Sequence, residues 1–230
     1  MTGGKIIVAL DVPERQRALE LATALAPHVA MVKIGFEGFV AHGPSIVTDL
    51  RDAGVDVFLD LKLHDIPRTV AAGAREASAL GASLLTVHAS GGAAMVRAAR
   101  EAAHDHTSIL AVTLLTSMDQ ETTTSVGFSG SVGDCVSRLG AVALDAGADG
   151  LVCSALELEA LSTLKGIRVV PGVRPAGSAS GDQKRVATPS EALRKGATYL
   201  VIGRPIVQAE DPVAAAAAIR ASLEEDNHES

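Results

Sequence analysis

Short apolar runs alternate with stretches of helical spacing along the whole 230-residue chain, and this alternation is the strongest constraint on its fold. The runs predict strands near Lys5–Asp11, Val29–Ile34, Val55–Leu63, Ser83–His88, Ser108–Leu115, Gly150–Ser154, Arg168–Pro171 and Tyr199–Ile202. Between the first two, Glu14–Ala26 places Ala18, Leu19, Ala22, Leu25 and Ala26 in one helical stripe. Gly54, Gly81, Gly147 and Gly196 each fall between a helical pattern and the next strand, where a helix exit favours glycine. Eight strand–helix units in this length point to a single-domain (β/α)8 barrel (TIM barrel) over residues 1–230, with a frayed tail after about Leu223. A doubly wound open sheet is the alternative, but its glycine fingerprint after the first strand is missing.

The residue types agree. Apolar residues make up 47% of the chain and aromatic ones 2%, so the core must be built from Val, Ile, Leu and Ala. That is the composition of strands buried on both faces. The scarcity of aromatic rings and a formal charge of −7 argue against nucleic-acid or membrane-surface binding. Cys135 and Cys153 lack metal-ligand spacing and suggest no disulfide framework. His104 and His106 fall in a polar loop that favours solvation over metal binding. No apolar run is long enough to span a membrane, and a strand beginning at Lys5 leaves no room for a signal peptide. A cytoplasmic setting is the expectation.

In a barrel, polar residues at the C-terminal ends of strands converge. Strand one ends at Asp11, strand two reaches Lys33, and strand three carries Asp60 and Lys62 with Asp65 just beyond. Residues two apart on a strand point the same way, so Asp60 and Lys62 face one side and Leu59, Leu61 and Leu63 the other. Opposite charges aimed into an interior are costly unless paired. They read either as an ion pair that fixes register or as a working site, and Asp11 alone could be a helix cap. Four charges from three strands favour the site. Strand four ends at His88, and strand five runs into Thr116 and Ser117.

After strand seven comes a long Gly/Ser-rich loop from Arg174 to Arg185 containing Gln183, and after strand eight comes Gly203-Arg204. Phosphate sites in such barrels lie where these two loops meet. Glycine permits close backbone approach, Arg204 adds a forked cation, and Gln183 can donate from the loop. A phosphorylated ligand is expected.

The blocks Ala9–Val12, Val32–Gly35, Asp60–Pro67, Leu115–Ser117, Pro171–Arg174, Gly181–Gln183 and Val201–Arg204 resemble, in this order, the orotidine 5′-monophosphate decarboxylase family. The resemblance covers roughly residues 5–220. It implies cofactor-free and metal-free decarboxylation of a nucleotide to UMP by a homodimer with shared active sites. Lys62 would donate the proton to carbon six of the pyrimidine. Asp60 would sit against the substrate carboxylate, Lys33 would bridge toward the ribose, and Asp11 would bind ribose. Asp65, with Ile66 and Thr69, would reach into the partner's site. Thr116 or Ser117 would contact the pyrimidine, and Arg174, Gln183, Gly203 and Arg204 would grip the phosphate. The alternatives are a magnesium-dependent sugar-phosphate decarboxylase or aldolase of the same superfamily, which typically has an acidic residue in place of Lys33, and a non-catalytic nucleotide-binding barrel.

Overall fold

A computed structural model of the chain describes residues 4–173 and 187–226, with side chains through residue 224. Eight parallel strands close into one barrel in sequence order: β1 (Ile6–Ala9), β2 (Met31–Gly35), β3 (Val57–Leu63), β4 (Leu84–His88), β5 (Ser108–Val112), β6 (Gly150–Val152), β7 (Ile167–Pro171) and β8 (Tyr199–Ile202). The ring closes through β1 and β8, with Ile7 opposite Val201. Around it run α1 (Arg15–Leu25), α2 (Phe36–His42), α3 (Ser45–Asp52), α4 (Pro67–Ala79), α5 (Gly92–Ala102), α6 (Gln120–Ser125), α7 (Val132–Asp145), α8 (Pro189–Arg194), α9 (Arg204–Val207) and α10 (Pro212–Asp226).

Side-chain alternation divides the apolar residues into two cores. Ile7, Met31, Phe58, Leu84, Leu110 and Val169 fill the barrel interior. Val8, Ile34, Leu59, Leu85 and Ile202 point outward into the layer shared with the helices. Each buried Leu- or Ile-sized side chain contributes about 1.5–3 kcal/mol relative to exposure, so the outer layer holds the helices to the barrel. The helix exits behave as their glycines predict: Gly54, Gly81, Gly147 and Gly196 all have φ between +77° and +99°. Capping boxes at Ser131 with Asp134 and at Thr188 with Glu191 start α7 and α8.

Two expectations need correction. The second helical segment is two helices, α2 and α3, broken at Gly43-Pro44, where Gly43 adopts φ +71°. Between β6 and β7 no α-helix forms, so the strict count of eight strand–helix units does not hold; residues 155–163 make successive turns. Buried Leu158 and Leu161 anchor those turns. The Arg168 guanidinium, itself buried, donates to the carbonyls of Leu161 and Leu164 and so satisfies acceptors that a regular helix would have paired. At the C-terminus, α10 continues to Asp226.

β3 departs from regularity at the point that matters most. Leu59 pairs with Leu85 and Leu63 with Val87, so four steps on β3 match two on β4. Within this bulge Lys62 adopts φ +50°, making it the one described non-glycine residue with positive φ. Such a conformation costs about 1–3 kcal/mol and persists only where its surroundings enforce it.

Candidate active site

The C-terminal mouth of the barrel opens into a cavity of about 510 Å³. Asp11, Lys33, Asp60 and Lys62 line it on one side, and Gly203 and Arg204 also border it. Strand order explains the grouping: β1, β2 and β3 are neighbours, with Lys33 and Asp60 within β2 and β3, Lys62 one residue before the end of β3, and Asp11 two residues past β1.

The four charges form a continuous array. Lys62 Nζ donates to Asp60 Oδ2 at 2.7 Å, and Lys33 Nζ lies 3.7 Å from the same oxygen. Lys33 Nζ is also 3.6 Å from Asp11 Oδ1. Asp60 and Lys33 are mostly buried, whereas Lys62 and Asp11 are the more open members. The other Asp60 oxygen accepts a 2.9 Å hydrogen bond from the Thr86 hydroxyl, which also accepts the Lys62 backbone N–H at 2.8 Å. Burial alone would push the Asp60 carboxyl up. The ammonium of Lys33, then that of Lys62, with hydrogen bonds from Lys62 and Thr86, outweighs it and holds the carboxyl below its ordinary value. Asp60 is therefore a carboxylate. Asp11 is not a helix cap, because α1 starts after Glu14 and has no side-chain cap.

The remaining expected residues divide three ways. Thr116 lines the cavity, and Ser117 is exposed and does not. Asp65, Ile66 and Thr69 lie outside the cavity on an exposed surface, with Asp65 Oδ1 accepting the Ile66 N–H at 2.6 Å. Arg174 and Gln183 lie outside the described residues.

Sequence reasoning missed Thr86 and Gly35. Thr86 is fully buried in an apolar strand, and its one signal was that it shares the inward parity of His88. Gly35 sits opposite Asp60 in the β2–β3 register. His88 meets His64 at a ring-centroid distance of 5.3 Å. Burial, then His64 and Lys62, lowers the His88 pKa against the opposing pull of Asp60.

Chemically, the array can hold an anionic group beside a fixed carboxylate and deliver a proton from an ammonium at the same point. The cavity reaches from that point to Arg204, leaving room for a small ligand with an anionic tail.

The profile of the Orotidine 5'-phosphate decarboxylase / HUMPS family matches residues 4–219. The orotidine 5'-phosphate decarboxylase of Anaeromyxobacter dehalogenans is 52% identical over 222 residues, 95% of this chain and 98% of that protein. The enzyme of the same name from Thermobifida fusca is also 52% identical, over 95% of each chain. Among solved structures, orotidine 5'-phosphate decarboxylase from Lactobacillus acidophilus superposes with a TM-score of 0.84 at 34% identity, covering 96% of this chain and 99% of that one.

Proposed function

The chain belongs to the orotidine 5′-phosphate decarboxylase / HUMPS family and decarboxylates orotidine 5′-monophosphate to UMP, and we propose that the Asp11–Lys33–Asp60–Lys62 array carries the reaction with Lys62 as proton donor. The observation behind this reading is the sharing of one Asp60 oxygen by two lysines, at 2.7 and 3.7 Å, on the cavity wall.

The carbon–carbon bond to the substrate carboxylate breaks, CO₂ leaves, and its electron pair stays on carbon six. That pair sits in an sp² orbital with no carbonyl placed to delocalise it, so stabilisation must be electrostatic. Lys62 supplies a cation beside the developing charge and then transfers its proton to carbon six, giving UMP. Asp60 faces the departing carboxylate, and their repulsion disappears as CO₂ forms. Lys33 keeps the Asp60 charge tolerable in a mostly buried position and, with Asp11, orients the ribose. Thr116 contacts the pyrimidine. Gly203 and Arg204, with Arg174 and Gln183, bind the phosphate, whose binding energy orients the reacting carbon. No cofactor is required for any of these steps.

The magnesium-using reading is weaker because Lys33 puts a cation between Asp11 and Asp60, where a metal would need anionic ligands. Loss of orotidine 5′-monophosphate absorbance on adding chelator-treated protein tests the activity, with Lys62→Ala as control. Turnover that depends on restored magnesium, or a Lys62→Ala variant near wild-type rate, would overturn the assignment.

A homodimer with shared sites is part of the same reading. Ile66, Phe36 and Val40 are 64%, 68% and 67% exposed around the exits of the neighbouring strands β2 and β3. Such large exposed apolar side chains favour a covering partner, and Asp65 with Thr69 would then reach the partner's cavity. Among the described residues no helix is long and apolar enough to cross a membrane. The free, buried Cys135 and Cys153 suit the reducing cytoplasm.

A further inference from the structure

We propose that Thr86 is a positioning residue for the decarboxylation, its one hydroxyl orienting the Asp60 carboxylate and the Lys62 backbone together. The proposal rests on the reading of Asp60 and Lys62 as the reacting pair.

Thr86 is fully buried on β4, beside the bulge in β3. A hydroxyl has one proton to give and lone pairs to accept with. Here the proton goes to Asp60 Oδ1 at 2.9 Å, and a lone pair takes the Lys62 N–H at 2.8 Å. The other buried threonines serve the main chain: Thr107 donates to the Ala82 carbonyl, Thr113 to that of Val152 and Thr123 to that of Asp119. Thr86 instead bonds to an ionised side chain of the array.

Both contacts answer a specific need. The terminal torsion of an aspartate is soft and roughly two-fold, so nothing intrinsic decides which oxygen meets the lysines. With Oδ1 engaged by Thr86, Oδ2 is the oxygen that meets both Lys62 and Lys33. The bulge takes the Lys62 N–H out of the regular ladder and into φ +50°, and the Thr86 oxygen receives it there. One hydroxyl therefore sets the carboxylate plane and secures the strained residue that carries the ammonium. Displacements of about 1 Å in such groups can cost on the order of 10²-fold in rate.

The test compares Thr86→Val, which keeps the shape and removes the hydroxyl, with Thr86→Ser, which keeps the hydroxyl. Thr86→Val should lower kcat by about 10- to 100-fold while KM, set by the ribose and phosphate contacts, stays within about threefold. Thr86→Ser should recover kcat to within about threefold of wild type. Melting temperatures identify folded variants; should the valine protein not fold, Thr86→Cys, similar in shape with a weaker donor, should show an intermediate kcat. A folded Thr86→Val or Thr86→Cys enzyme with wild-type kcat overturns the proposal, as does a folded Thr86→Ser enzyme as slow as Thr86→Val. Lys62→Ala, run alongside, separates the two levels. If it retains wild-type turnover, the underlying reading fails; if it is inactive while Thr86→Val is unimpaired, only the role of Thr86 fails.

Discussion

A methyl group at Gly35 would stand 2.9 Å from the Nζ of Lys33. The missing side chain at Gly35, which pairs with Asp60 across the sheet, leaves room for the Lys33 ammonium between Asp11 and Asp60.

Gly35→Ala should therefore displace the lysine rather than the backbone. Gly35 has φ −83° and ψ −179°, which alanine adopts freely. We expect kcat/KM to fall at least about 10-fold, equivalent to roughly 1.4 kcal/mol of transition-state stabilisation, with the melting temperature nearly unchanged. Wild-type kinetics in the alanine variant would show that the position of Lys33 does not limit the reaction.

Arg204→Ala should act on binding of the phosphate. Loss of charged hydrogen bonds costs about 1.5–3 kcal/mol, and the loss should appear with phosphorylated substrate or product and not with the unphosphorylated nucleoside. An unchanged preference for the phosphorylated form would remove Arg204 from that role.

Mixing subunits tests the shared site. Asp65→Asn and Lys62→Ala homodimers should each be nearly inactive, and mixed dimers should regain one intact site. Confirmed subunit exchange without recovered activity would place Asp65 in its own subunit's chemistry or outside the reaction.

His88 should leave a signature in stability against pH. Burial, His64 and Lys62 together make the folded protein bind a proton at His88 less readily than the ordinary value of 6.5 implies, even with Asp60 nearby. The unfolded chain then takes up the proton first, so stability falls as pH drops from about 6.5 toward the lowered folded value. Urea unfolding midpoints across this window should decline more steeply for wild type than for His88→Gln. Parallel declines would contradict the assignment. Asp60 acts in the same direction in a separate window, below its ordinary value of 3.8.

Much of this was legible in the chain because barrel strands are buried on both faces. Apolar runs mark such strands directly: β8 (Tyr199–Ile202) was read at its observed bounds, and β3 and β4 were placed to within two residues. The charges at Asp60, Lys62 and Lys33 stood out for the same reason. What escaped notice was partnership across the sheet. Nothing local shows that Thr86 meets Asp60 and Lys62, because that contact depends on a bulge in a different strand. Nor does composition separate a helix from the turns at 155–163, where the deciding group is Arg168, a residue of β7. Roles that need a second subunit lie beyond single-chain patterns altogether.

The apolar filling of the lower barrel, from Ile7 and Met31 to Phe58 and Leu110, is almost fully buried. It gives the reaction chamber a sealed base. On the proposed chemistry, carbon dioxide and UMP would share the mouth as their way out, and water would approach the carbanion from that side alone.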